Sequence, residues 1–563
     1  MKRLIIFLFL MLCGVAHSAQ IVNVEYIHNA IAQKWDITIP YNPALANPMV
    51  AANMKYLLTA IDVANEMLNG EKTTIYGNGE YATMVAADTI ATNTAVDTLV
   101  AVNRDYKFIA TVDVPIADYQ LYFNIDATGD FFIDWGDGSS IDSVTNTLVG
   151  TMSHTYTKPG QYKVKLGGLA TGVGEYGNYG FSVSAFTNNN FPYHNYAESI
   201  VGVSGCLGCV FPTLSDGTNP SFYRLFTDAG SLTSIPDDLF AGLHGEFSNN
   251  MFASAFSGTG ITSIPQSLFG ELRGGMYASS VFSDTFRGTP ITSIPENLFS
   301  NVVSVGPRMF QGTFSDTKIT KIPDGLFSTL TGGSPYSFER TFSGTPITSI
   351  PENLFDGISH GVMGEFSSTF AYTNIKEIPE NLFANVGGAD TALFAGTFEG
   401  TPITSIPENL FASVLGGDAV YMDEMFSWTF SDCTKLKEIP DNLFSGLKWE
   451  SAETVGYLFA GTFSGCTSLT EIPDNLFGAD VVLNLDYDDW RYYGVFEGTF
   501  YGCDGLTGPS VRTGGQYFYE RWPGAPAEIF LDMYQGCEGL SDYDCIPSEW
   551  GGGGLNCLAT DPT

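Results

Sequence analysis

The chain has 563 residues, of which 44% are hydrophobic and 15% charged, with 61 Asp and Glu against 24 Lys and Arg. The length exceeds one ordinary core, and the hydrophobic fraction excludes wholesale disorder. A formal charge of −37 excludes nucleic acid and anionic lipid surfaces as partners, and suits cations, basic proteins or neutral glycans.

Residues 1–18 read as a secretory signal. Lys2 and Arg3 precede the apolar run Leu4 to Leu12, and Ala16-His17-Ser18 is a small-x-small cleavage site. The run is too short to span a bilayer. Leu12 before Cys13 is a poor lipobox residue, so lipidation is not the favoured reading. The expected location is outside the cell, secreted or at its surface, with no membrane insertion after signal removal. Residues 19–102 are expected to be a small α+β module. Asn47-Pro48 has the form of an N-cap with proline in the first turn. Val50, Met54, Leu57, Leu58, Ile61 and Leu68 then mark one helical face.

Residues 103–190 change to strand signals. Tyr162-Lys163-Val164-Lys165-Leu166 alternates, and Phe131 to Gly138 reads as a strand entering a tight turn at Trp135-Gly136-Asp137-Gly138. His154-Thr155-Tyr156 and Pro159-Gly160-Gln161-Tyr162-Lys163-Val164 follow in order. These pieces resemble the PKD domain. The resemblance implies an immunoglobulin-like β-sandwich that acts as a spacer or interaction module.

Residues 191–550 are repetitive. Ile-Pro-x-x-Leu-Phe occurs nine times, with prolines at 236, 265, 295, 323, 351, 379, 407, 440 and 473. Such a period marks a stacked array in which no unit buries its apolar face alone. The fuller phrase, as in Phe459, Phe463, Cys466, Leu469, Ile472, Pro473, Leu476 and Phe477, resembles the BspA-like leucine-rich repeat. That resemblance implies an α/β solenoid of short parallel strands and an adhesive surface protein. Within a coil, Ile-Thr-Ser-Ile is expected as a short strand with its isoleucines inward, ended by proline. The helical spacing of Phe-x3-Phe is expected to put two rings on one face. Thr292-Ser293 and Thr348-Ser349 belong to a solvent-facing ladder. Residues after Phe500 form an eroded cap, and 551–563 a tail.

Eight cysteines remain after Cys13. Cys206 and Cys209 suggest a local disulfide or two thiols rather than zinc. Cys433, Cys466, Cys503 and Cys537 are read as buried thiols, because parallel side chains on stacked coils suit a disulfide poorly.

No nucleophile elbow, phosphate loop or paired metal histidines occur, so no catalytic residue is assigned. No cofactor is expected, with calcium the one candidate, at Asp130, Asp134 and Asp137, and Asp486, Asp488 and Asp489 as a second cluster. Five of seven tryptophans follow residue 427, and Trp490, Tyr492, Tyr493, Tyr517, Tyr519 and Trp522 form the candidate ligand-binding set. The same rings could instead plug the array's end. The sequence thus implies a non-enzymatic binding or adhesion protein. Its partner is a protein or glycan on a host, neighbouring cell or matrix. The alternatives are a carbohydrate-binding accessory protein using the C-terminal aromatics, and a structural component assembled through 19–102.

Overall fold

The structure is a computed structural model. It describes residues 106–174, 179–187, 197–274, 278–415, 421–441, 443–448, 452–478, 483, 492–555 and 557. The chain divides into two compact units, Met1–Asn103 and Arg104–Thr563, and the described residues lie in the second. The signal peptide, the 19–102 module and Trp490 therefore lie outside the described residues.

Six strands, β1 (Tyr106–Val114), β2 (Tyr119–Asp134), β3 (Asp142–Tyr156), β4 (Gly160–Val173), β5 (Gly180–Thr187) and β6 (Ile200–Gly205), form one sheet. All its pairings are antiparallel, in the order β3-β2-β4-β1-β6 with β5 also on β2. The first half of β2 pairs with β5 and its second half with β4, while β3 follows it throughout. The register shifts between Asn124 and Ala127, where the partner changes. Twelve extended residues would separate Phe123 from Trp135 by about 40 Å. Their ring centroids are 5.6 Å apart, so β2 folds back over its own core. The two separate sheets of a sandwich are therefore not what forms; a single bent sheet wraps the core.

The Trp135-to-Gly138 turn forms where expected. Gly136 and Gly138 take φ of 80° and 84°, which side chains disfavour. Asp134 accepts from the Gly136 amide and Asp137 from the Ser139 amide, each at 2.9 Å. The Tyr156 hydroxyl donates to the Trp135 carbonyl at 3.0 Å and closes the corner.

The repeat is a stack of coils, but not a parallel-strand α/β leucine-rich-repeat solenoid. Its described segments are almost all turns. The helices are single four-residue pieces, α1 (Ala412–Leu415) and α2 (Phe518–Arg521). Between coils, among the described residues, parallel pairing is confined to β7 (His244–Glu246) with β8 (Glu271–Arg273) and to the isolated bridges Gly274 with Val302, His360 with Gly387 and Tyr421 with Thr454. These lie after Leu-Phe, not at Ile-Thr-Ser-Ile. In that segment the burial is as expected, with Ile291 and Ile294 buried and Thr292 and Ser293 exposed. The backbone there contributes single links, such as the Lys318 amide to the Ile291 carbonyl at 3.0 Å, rather than a ladder.

The ladder runs through the Phe-x3-Phe segment, and it is not helical. In 308–316 alternate amides divide their work. Arg308, Phe310, Gly312, Phe314 and Asp316 donate to Pro335, Ser337, Glu339, Thr341 and Ser343 of the next coil at 2.8–3.0 Å. Met309, Gln311, Thr313 and Ser315 donate three residues back at 3.0–3.3 Å. Every fourth residue, here Arg308, Gly312 and Asp316, has φ between 53° and 60°. The Phe310–Thr313 turn has its positive φ at the third position, the requirement of a type II turn. Phe-x3-Phe therefore reflects a four-residue turn period, which resembles a helical one in spacing alone.

The core follows from this geometry. Phe252, Phe282, Phe310, Phe338 and Phe366 stack at 5.6–6.0 Å between centroids. A second column runs through Phe256, Phe286, Phe314 and Phe342 at 5.7–5.9 Å. The Leu-Phe phenylalanines, such as Phe299, Phe327 and Phe355, make the third at 6.1–6.3 Å. Each buried Phe contributes roughly 1.5–3 kcal/mol. A buried threonine row ties coils together: the Thr369 hydroxyl lies 2.9 Å from the Phe338 carbonyl and 2.8 Å from that of Phe366. Cys433, Cys466, Cys503 and Cys537 are free and buried, and their thiols donate to Phe carbonyls of the preceding coil at 3.0–3.3 Å. Cys206 and Cys209 form a disulfide, as do Cys545 and Cys557.

Both ends of the array are covered. The sheet meets its start through Ala170 to Val210 and Phe181 to Ser221 backbone bonds, and the Phe108 ring stacks on Phe226 at 6.4 Å. At the other end, residues 543–555 and 557 lie over the last coil. The Asp532 and Tyr534 amides donate to the Glu549 and Trp550 carbonyls at 3.2 and 2.8 Å. Trp550 stacks on Phe530 at 3.9 Å and ends that ring column.

Candidate binding face

The turn ladder presents its positive-φ residues outward as three rows across the coils. A non-glycine residue there costs about 1–2 kcal/mol, and a bulky one is an outlier. Glycine takes many of these positions, yet Tyr336, Tyr372, Trp428 and Tyr457 occupy four, with φ of 55–58°. Tyr372 is 57% exposed and Trp428 50%. Each ring lies on a glycine of the following coil. A methyl group at Gly400 would meet the Tyr372 ring at 2.6 Å, one at Gly461 the Trp428 ring at 2.7 Å, and one at Gly494 the Tyr457 ring at 2.5 Å. The rings are thus held against the backbone with one side open. Tyr493 and Tyr501 add exposed rings on the same face, and Tyr493 meets Tyr457 edge-on at 5.5 Å.

Carboxylates alternate with the rings. Glu424, Trp428 and Asp432 occupy the three rows of one coil, all exposed. The Tyr372 hydroxyl donates to Glu399. That bond first, and burial second, push the Tyr372 phenol up to about 12. Burial, then the neighbouring Asp532, raises the Glu497 carboxyl above its ordinary value.

The sequence-predicted residues do not form one site. Tyr493 lies on the turn face, whereas Tyr492 is buried. Tyr517 is half-buried, stacked on Tyr519 at 5.1 Å with Arg512 at 5.9 Å from its ring. Tyr519 and Trp522 are both 8% exposed and line a cavity of about 530 Å³ under the C-terminal flap, with Trp550, Glu549 and the Cys545–Cys557 bridge. Trp522 packs on Phe518 at 4.9 Å and on Phe530 at 6.3 Å at the array's end.

The aspartates proposed for calcium are separately engaged. Asp134 takes Lys165 at 2.9 Å and Asp137 takes His154 at 2.8 Å, while Asp130 lies exposed on β2. Partial burial opposes the shift, but hydrogen bonds from Ser139 and His154 hold Asp137 down at about 2. Among the described residues no group of three or more His, Cys, Asp or Glu is placed to hold a metal. Asp486, Asp488 and Asp489 lie outside the described residues.

Tyr372, Tyr457 and Tyr501 were missed by sequence reasoning. Their signal is positional: they stand in or beside the positive-φ rows, where most other copies carry small or polar residues. No protein family, curated protein or solved structure matches the chain. The functional reading rests on the chain's own residues and geometry.

Proposed function

We propose that the chain is an exported, non-enzymatic binding protein whose turn face holds a partner protein on a host, neighbouring cell or matrix. The observation that carries this reading is the set of exposed aromatic rings at backbone positions that disfavour them. Exposed Trp and Tyr are common anchors of recognition, and rings already pinned on glycine lose little freedom on docking. The test is adhesion of beads coated with the mature protein to cells and matrix. Replacing Tyr372, Trp428 and Tyr457 together by Ser is expected to cut adhesion at least tenfold with an unchanged melting temperature. Unchanged adhesion would overturn the reading.

A second reading, carbohydrate binding, draws on the cavity beneath the C-terminal flap, where Tyr519 and Trp522 meet. It requires glycan-array binding that Trp522→Ala abolishes and the turn-face substitutions leave intact.

A further inference from the structure

The turn face differs between its two halves, and the molecule itself displays what fits its rings. In the early coils, arginines of the face lie against the tyrosine rings. The Arg308 guanidinium lies 4.9 Å from the centre of the Tyr336 ring, and Arg224 lies 5.2 Å from that of Tyr223. Two of the acids there are also answered: Arg287 reaches Asp284 at 3.5 Å and Asp316 at 3.6 Å.

From the coil that begins at Gly364 onward the rows themselves carry no basic residue. The positive-φ rows and the residues just before each row then hold Glu399, Asp423, Glu424, Asp432, Glu497 and Asp532, with no Lys or Arg. Among the described residues no ion pair joins these six acids to a base. The rings continue, at Tyr372, Trp428, Tyr457 and Tyr501, exposed and with no described cation over them. Of the lysines of the same coils, Lys376, Lys435 and Lys437 belong to the Ile-x-x-Ile side of the array and Lys448 follows Leu443-Phe444.

We infer that this later half of the turn face binds a cationic polypeptide segment, whose Arg or Lys side chains lie over the bare rings between the carboxylates. The inference rests on the binding role proposed for this face and names the partner's chemistry. Guanidinium and ammonium groups are attracted to ring faces, and flanking carboxylates favour them further. The backbone of an extended segment would follow the stack, crossing one coil after another. A neutral glycan satisfies the rings but leaves the carboxylates unanswered.

The experiment titrates the full mature chain with a fluorescent twelve-residue Arg-Gly peptide at physiological salt. Tyr372→Leu/Trp428→Leu/Tyr457→Leu keeps the net charge and is expected to weaken binding at least tenfold. Glu399→Gln/Glu424→Gln/Asp432→Asn is expected to do the same. Glu377→Gln/Glu408→Gln/Glu438→Gln removes three exposed charges from the Ile-x-x-Ile side and is expected to change binding less than twofold. Equal weakening by this last set would show a general response to the acidic chain and overturn the inference. So would full binding by the ring variant, or binding of cellohexaose in place of the peptide. Should a triple variant fail to fold, Trp428→Leu and Asp432→Asn singly give the same comparison. Loss of bead adhesion in the ring variant without any peptide binding would remove the cationic partner and leave the binding face standing.

Discussion

Glu365 carries a cost that no exposed acid of the array shares. It is fully buried, and among the described residues it is the only charged side chain so placed. One oxygen accepts from the Ser334 amide at 3.1 Å and the Ser337 hydroxyl at 2.9 Å; the other has no partner. Burial pushes the carboxyl up to about 8 from 4.5, and the serine bonds pull it back only in part. The proton is therefore retained at neutral pH. A raised folded value means that the stabilising difference is complete below 4.5 and is lost as pH rises towards 8. The whole window corresponds to roughly 4–5 kcal/mol. Glu365→Gln is expected to remove this pH dependence and gain several kcal/mol over wild type at pH 8, relative to their difference at pH 4. Urea unfolding at both pH values checks it, and parallel curves would count against it.

At the scale of the coil, the ring-on-glycine contact sets what each copy tolerates. Gly461 has φ 60°, and a methyl group there would press on Trp428. Gly461→Ala is expected to cost about 1–3 kcal/mol, and a Trp428→Ala background should relieve part of that cost. A double-mutant cycle by denaturant midpoint measures the coupling; strictly additive effects would deny the contact. Much of the coil is written openly. Leu-Phe supplies one ring column, Ile-x-x-Ile buries its ends and exposes its middle, and the late cysteines are buried thiols. The backbone between the two Phe residues was hidden, because a spacing of four suits both a helix and alternating turns. The deciding signal is which residue types recur at every fourth place. Glycine and aspartate there tolerate positive φ, whereas a helix would gain nothing from them. The site was hidden for a related reason. Counting aromatics near the C-terminus finds Tyr519 and Trp522, but exposure depends on the coil above, and the flap covers them.

At the scale of the molecule, stability depends on how the stack is closed. An uncovered last coil would leave the Asp532 and Tyr534 amides open, much like an unprotected sheet edge. The Cys545–Cys557 bridge holds the flap that answers them, closing a short loop worth up to about 3 kcal/mol. Cys545→Ser/Cys557→Ser is expected to lower the melting temperature and to speed amide exchange first in 528–540. Exchange that rises evenly from 222 to 540 would instead show that the flap is not a local closure.

The flap meets the last coil as any coil meets the next, with backbone carbonyls over amides and a ring over a ring. Consecutive copies such as 336–363 and 364–391 are likewise joined by the same bonds. Neither end of the stack registers how many copies lie between. Unequal recombination could therefore add or delete a whole copy in register, leaving both closures intact. The reach of the proposed binding surface becomes a heritable variable, adjustable in steps of one copy without renewed selection of the fold.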